Sequence, residues 1–117
     1  MINCSLIIRT KNEEENLGHC IKAIKSQSIK NVEIIIVDNL SSDNTLKIAR
    51  SLGVNKIISI KKYLPGYALN LGIKKAKSNN IAIISAHCFP KNSKWLEYGL
   101  RALNEEDSIA GVYGKQL

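Results

Sequence analysis

Aromatic residues are scarce in this chain of 117 residues: one Trp, one Phe and four Tyr. Without aromatics interleaved among its basic residues, it lacks the stacking platform of a nucleic-acid binder. Seventeen Lys and Arg against ten Asp and Glu give a net charge of +7. The pairs Lys61-Lys62 and Lys74-Lys75 sit among apolar residues, so the excess reads as a solvated lysine-rich surface. Such a surface still suits an anionic ligand. Cysteine is sparse too. Cys4, Cys20 and Cys88 are widely spaced with no CxxC pair, which excludes a zinc knuckle. Cys4 and Cys20 fall on apolar faces and read as small core residues of a reduced, cytosolic protein. No apolar run approaches the length of a membrane span, and Arg9 cuts the first one short, so no signal peptide is visible. Repeats, linkers and low-complexity tracts are lacking, and the length fits one domain.

What is present is an alternation of strand and helix. Cys4 to Ile8, Val32 to Val37 and Ile81 to Ile84 are near-continuous aliphatic runs, as in parallel strands covered on both faces. Ile57 to Ile60 is another short strand. Between them, Leu17, Cys20, Ile21 and Ile24 form a helical stripe. Asn12 and Glu15 ahead of that stripe have capping-box spacing. Ser42 or Asp43 caps a second helix with Leu46, Ile48 and Ala49 inward, ended by Gly53. Pro65-Gly66 opens a third helix with Leu69, Gly72, Ile73 and Ala76 as its inner face. Gly72 predicts close packing on the sheet. Asn92 or Ser93 caps a fourth helix with Trp95, Leu96, Gly99, Leu100 and Leu103, and Ile109 to Tyr113 reads as a last short strand. The order predicts an α/β fold: three layers, α/β/α, around a mostly parallel, doubly wound sheet.

In such sheets the ligand lies outside the carboxyl ends of the strands, where the strand order reverses. The first strand runs into Arg9-Thr10-Lys11-Asn12-Glu13, the second into Asp38-Asn39, and the fourth into Ser85-Ala86-His87. An arginine, an acid and a histidine are thus expected at one edge. The loop after strand one carries no glycines and three successive glutamates, Glu13 to Glu15, which repel phosphate at a helix amino end. Neither a dinucleotide-binding fingerprint nor a P-loop is present. A two-component receiver domain needs an acidic pair after strand one, where Arg9-Thr10 has the wrong charge.

Four segments in order resemble one family. Ser5 to Glu14 resembles the opening strand and loop of the inverting family-two glycosyltransferases, which have the GT-A fold. Ile35 to Thr45, an aliphatic strand ending in Asp38 and a Ser/Asp/Thr turn, resembles their second motif. Pro65-Gly66-Tyr67-Ala68-Leu69-Asn70-Leu71-Gly72 resembles their Gly-x-Ala-x-Asn-x-Gly helix. Arg9, Ser85-Ala86-His87 and Gly111 to Gln116 resemble the rhamnosyltransferase-like enzymes of polysaccharide biosynthesis.

The resemblance implies a nucleotide-diphosphate sugar as donor, UDP- or TDP-type, and a saccharide or lipid-linked acceptor. Arg9, Thr10, Lys11, Glu13, Asp38, Asn39, Gly66 and Asn70 would line the nucleotide, with Asp38 accepting a hydrogen bond from the N–H edge of the base. Asp38 as a mere turn acid is the less favoured reading, since Ser42 and Asp43 fill that role. For Thr10 and Asn12, helix capping weighs equally. Ser85, Ala86 and His87 stand where the family has Asp-x-Asp holding a divalent metal, Mn or Mg. His87 could ligate that metal or donate a hydrogen bond to phosphate. His19 reads as surface. The general base is expected beyond Leu117, so residues 1–117 read as a donor-binding domain without its acceptor-binding part. The rival reading is a truncated, non-catalytic nucleotide-binding or interaction module. Cytoplasmic localisation, at the inner membrane surface, and self-association through exposed apolar cover complete the expectations.

Overall fold

The computed structural model describes residues 2–62, 65–86 and 93–103. Within them lie four strands and four helices in strict alternation: β1 (Cys4–Thr10), α1 (Leu17–Lys25), β2 (Val32–Asp38), α2 (Thr45–Ser51), β3 (Lys56–Ser59), α3 (Pro65–Lys75), β4 (Ile81–Ser85) and α4 (Trp95–Leu103). The expected last strand over 109–113 falls outside the described residues, as do His87 and Cys88. All pairings in the sheet are parallel, and the strand order is β3-β2-β1-β4. The chain steps outward from β1 to β3, then returns to place β4 on the other side of β1. The strand order therefore reverses between β1 and β4, and both faces of the sheet receive helices.

Pleating sorts the side chains between the two faces. Leu6 and Ile8 of β1, Ile34 and Ile36 of β2 and Ile84 of β4 pack with Leu17, Cys20, Ile21 and Ile24 of α1, Ala49 of α2 and Leu96 of α4. Ile7, Ile35 and Val37 face the other way, against Ala68, Leu69 and Leu71 of α3. The aliphatic runs are continuous because both faces are covered. Each fully buried Ile contributes about 1.5–3 kcal/mol.

Gly72 brings α3 down onto β1. A Cβ there would lie 2.9 Å from Ile7 Cγ2 and 3.0 Å from Ile7 Cδ1. The close packing expected of this glycine is present. The predicted inner face of α3 is corrected at one position. Ile73 is exposed, and Ala68 takes the inward place. Helix periodicity cannot separate neighbouring positions when a glycine shifts the line of closest approach.

The start of α1 is also corrected. Asn12 does not cap it: the helix begins at Leu17, with Asn16 before it and no side-chain cap. Turn bonds from the Asn16 and Leu17 N–H groups to Glu13 O lead into the helix instead. For α2, the residue before the helix is Asn44, which makes no side-chain cap, and Asp43 one residue further back binds the helix start instead. Its Oδ1 accepts the Thr45 N–H at 3.0 Å and the Thr45 hydroxyl. Desolvation at Asp43, the largest single influence, works against ionisation. The Thr45 hydroxyl and N–H and the Glu14 N–H more than offset it and hold the carboxyl below its ordinary value.

At the amino ends of the strands, Glu33 lies fully buried in an otherwise aliphatic strand. Its Oε1 accepts the Ser5 hydroxyl at 2.8 Å and the Lys77 N–H at 2.9 Å. Lys56 Nζ stands 3.2 Å from Oε2 and also donates to Lys75 O at the end of α3. Burial raises the Glu33 carboxyl, yet the Lys77 and Ser5 hydrogen bonds and the Lys56 charge overcome it and leave the group below its ordinary value. Burial pushes the Cys4 thiol up to about 11, against a smaller opposing hydrogen bond with the Ala82 backbone. Cys4 and Cys20 are buried and form no disulfide, small core residues as expected.

Candidate functional site: the carboxyl edge of the sheet

The register brings Arg9, Asp38 and Ser85 to one edge, while His87 lies outside the described residues. Thr10 stands opposite Asp38, and Arg9 opposite both Val37 and Ser85. Arg9 and Ser85 thus sit at the carboxyl ends of β1 and β4, at the reversal of strand order where ligands bind in open α/β sheets. By pleat they share the face of Ile7, which is the face covered by α3. Gly66, at the amino end of α3, and Asn70, one turn on, are exposed. A Cβ at Gly66 would meet no atom within 4 Å, so the helix end is open to close approach.

Asp38 is completely buried. Its Oδ1 accepts the Thr10 hydroxyl at 2.5 Å and the Ser41 hydroxyl at 2.6 Å, and its Oδ2 accepts the Ser41 N–H at 2.8 Å. Its own carbonyl takes the Ile60 N–H at 2.8 Å. This corrects the expected roles of two residues. Thr10 neither caps a helix nor faces outward, and the Asp38 carboxylate is spent on the protein. It fixes the turn after β2. Asn39, next along the chain, is partly exposed, and its carboxamide makes no hydrogen bond to any described residue.

The loop after β1 is laced to the loop after β2. Asn12 N–H donates to Ser41 Oγ at 2.8 Å, and Asn12 Oδ1 accepts the Ser42 N–H at 2.8 Å. Lys11 Nζ donates to Leu40 O at 3.1 Å, and the Glu13 N–H to Thr45 Oγ1 at 2.8 Å. Glu14 accepts the Asn44 N–H through Oε2 at 2.9 Å, and its own N–H donates to Asp43 Oδ2 at 3.2 Å. Asn39 N–H donates to Thr10 O at 3.0 Å. The turns that allow this need left-handed backbone at Asn12 (φ 52°) and Leu40 (φ 46°). Asn tolerates that region, whereas a bulky Leu there is strained. Leu40 is 53% exposed.

Ser41 was not anticipated as a partner of Asp38, although its spacing three residues on is that of a local side-chain-to-backbone turn. Nor was Glu33 noticed, although a lone acid inside an aliphatic strand implies buried partners.

A hard divalent cation is held by oxygen ligands, carboxylates above all. Ser85 and Ala86 supply none, and Ala86 is buried. Among the described residues no group of three His, Cys, Asp or Glu side chains comes together to hold a metal ion.

A doubly wound parallel sheet with this reversal places ligands at its carboxyl edge, and its solved structural neighbours are GT-A glycosyltransferases. The chain belongs to glycosyl transferase family 2, whose model matches residues 5–116. It is 35% identical over 123 aligned positions to a dolichyl N-acetyl-alpha-D-glucosaminyl phosphate 3-beta-D-2,3-diacetamido-2,3-dideoxy-beta-D-glucuronosyltransferase of Methanococcus voltae, covering 94% of this chain and 38% of that protein. It is 34% identical to glycosyltransferase AglE of Haloferax volcanii, covering 86% of this chain and 35% of that protein. The chain therefore spans well under half the length of these relatives. In fold it resembles TarS of S. aureus (TM-score 0.79, 20% identity, 99% of this chain and 39% of that one). It also resembles the mannosyltransferase PcManGT of Pyrobaculum calidifontis, in complex with GDP-Man and Mn2+ (TM-score 0.81, 19% identity, 86% and 32%).

Proposed function

We propose that this chain is the donor-binding part of an inverting glycosyltransferase that takes its sugar from a UDP- or TDP-type donor. The observation that carries the reading is the carboxyl edge of the sheet, where Arg9 and Ser85 are register partners and the Asn39 N–H meets Thr10 O beside the turn held by Asp38. The family match favours a transferase over a non-catalytic binding module.

Asp38 positions the turn, and Asn39 reads the base. A carboxamide offers one acceptor and one donor side by side. That pair matches the N–H and carbonyl of uracil or thymine. Guanine presents two donors on its Watson–Crick edge and suits a carboxylate better. Arg9, Thr10, Lys11 and Glu13 support the nucleotide through the β1 end and its loop, and Gly66 and Asn70 approach it from α3. His87, outside the described residues, stays a candidate ligand of phosphate or metal.

The acceptor we assign is a saccharide or lipid-linked one. The dolichyl compound in the name of the M. voltae relative supports that choice. Work on such an acceptor belongs to polysaccharide or glycan assembly at the cytoplasmic face of the membrane.

Calorimetry with UDP, TDP, GDP and ADP tests the reading. UDP and TDP are expected to bind more tightly than GDP and ADP, and Asn39→Asp to shift the preference toward GDP. Equal affinity for all four, unchanged by Asn39→Ala, would overturn the assignment of Asn39.

A further inference from the structure

We infer that the Leu40 side chain is a contact for the nucleotide, an apolar platform on which the flat face of the base rests beside Asn39. The inference deepens the donor-site reading above and rests on it.

Three observations converge on Leu40. First, its backbone is left-handed, with φ 46°. Among the described residues the other positions of this kind are Asn12, Asn31 and Gly53. Asn and Gly tolerate that region, whereas a bulky side chain in it is strained. Second, Leu40 keeps about half of its surface in water, so burial within the fold offsets the strain only in part. Third, the turn around Leu40 at the carboxyl edge is tied on both sides. The Asn39 N–H donates to Thr10 O at 3.0 Å, and the Ser41 N–H to Asp38 Oδ2 at 2.8 Å. Lys11 Nζ donates to the Leu40 carbonyl itself at 3.1 Å. Backbone strain persists only where the surrounding structure over-determines it, and it gathers at ligand clamps.

The chemistry of a base agrees with this placement. Its polar edge takes hydrogen bonds, which Asn39 supplies in the reading above. Its flat faces gain by leaving water for apolar contact. Leu40 follows Asn39 directly and offers such a surface on a backbone already fixed, so little freedom is lost when the ligand arrives. Glycine would form the same turn without strain; what leucine adds is its side chain. Contact with a face is blind to the pattern of donors and acceptors on the edge. Leu40 therefore governs how tightly any nucleotide binds, and Asn39 governs which one.

Titration calorimetry of the intact chain with UDP, GDP and uridine, beside urea melts, tests this. Leu40→Gly is expected to resist urea better and yet to bind all three about fivefold more weakly, the effect of losing one partly buried apolar contact. Leu40→Ala keeps the Cβ and its hold on the backbone, and is expected to lose affinity by a similar factor. Leu40→Met keeps the apolar bulk and is expected to stay within about twofold of the unaltered chain. Uridine affinity unchanged in both Leu40→Gly and Leu40→Ala would overturn the inference and leave the donor-site reading standing. A loss with glycine but not with alanine would assign the effect to a loosened turn and overturn it equally. If none of UDP, TDP, GDP and uridine binds the unaltered chain, the donor-site reading falls, and this inference with it.

Discussion

Thr10 gives its hydroxyl hydrogen to Asp38 across the β1–β2 seam, Oγ1 to Oδ1 at 2.5 Å, and both side chains are buried. The bond ties the carboxyl ends of β1 and β2 together. Ser41 adds two further bonds to the same carboxylate. A buried acid so fully engaged carries structure, and its removal strands its donors.

Asp38→Ala is therefore expected to lower stability by about 2–3 kcal/mol, since it leaves the Thr10 hydroxyl and the Ser41 N–H without their acceptor. The shift of the urea midpoint measures it. Thr10→Val, which removes one donor and keeps the shape, is expected to cost less. A loss under about 0.5 kcal/mol for Asp38→Ala would show that water replaces the carboxylate at this edge.

Much of this was legible beforehand. The parallel sheet follows from the uninterrupted Ile and Val runs, and the placing of Arg9 and Asp38 at one edge from strand polarity; the histidine expected with them, His87, lies outside the described residues. The roles at that edge were not legible. Asp38 and Asn39 are adjacent and similar in size, and it is the register of Asp38 with Thr10 that turns the Asp38 carboxylate to the protein. The start of α1 was misplaced for a related reason: Asn12 has the chemistry of a cap, but its side chain is committed to Ser42 some thirty residues away. Long-range partners of short polar side chains leave no periodic trace.

Glu33 makes stability depend on acid. Its carboxyl sits below the ordinary value near 4.5 when folded. Its stabilising contribution is thus complete above the unfolded value and is lost as pH falls through the lower folded value. Glu33→Gln removes that contribution. At neutral pH the variant is expected to be less stable by about 1–3 kcal/mol. The gap to the unaltered chain is expected to narrow as pH is lowered below about 4.5, as urea titrations across pH would read. A gap constant with pH would mean that Glu33 titrates alike folded and unfolded.

Gly72→Ala sets two effects against each other. Alanine favours the helix by about 1 kcal/mol. The new methyl, however, meets Ile7 Cγ2 at 2.9 Å, and overpacking costs about 1–3 kcal/mol. Ile7 is fully buried and Cγ2 branches from its Cβ, so it has little room to yield. A net loss on the order of 1 kcal/mol is expected in thermal or urea melts. A gain would show that α3 shifts outward at small cost.

Leu40→Gly is expected to stabilise. The left-handed backbone at φ 46° costs a side-chain-bearing residue about 1–2 kcal/mol. Glycine escapes that cost and gives back roughly 0.5–1 kcal/mol in unfolded-state entropy. A rise of about 0.5 kcal/mol or more in unfolding free energy is the expected reading. A fall would indicate that the exposed Leu40 side chain makes compensating contacts.

The Ser5–Glu33–Lys56 cluster stands at the amino ends of the strands, five residues along β2 from Asp38, or roughly 16 Å at the usual rise per residue. Neither set of side chains touches the other, so changes in one are expected to be nearly additive with changes in the other. Substitutions at Arg9, Asn39 or Ser85 thus leave the buried cluster at the far rim, and the stability it supplies, in place.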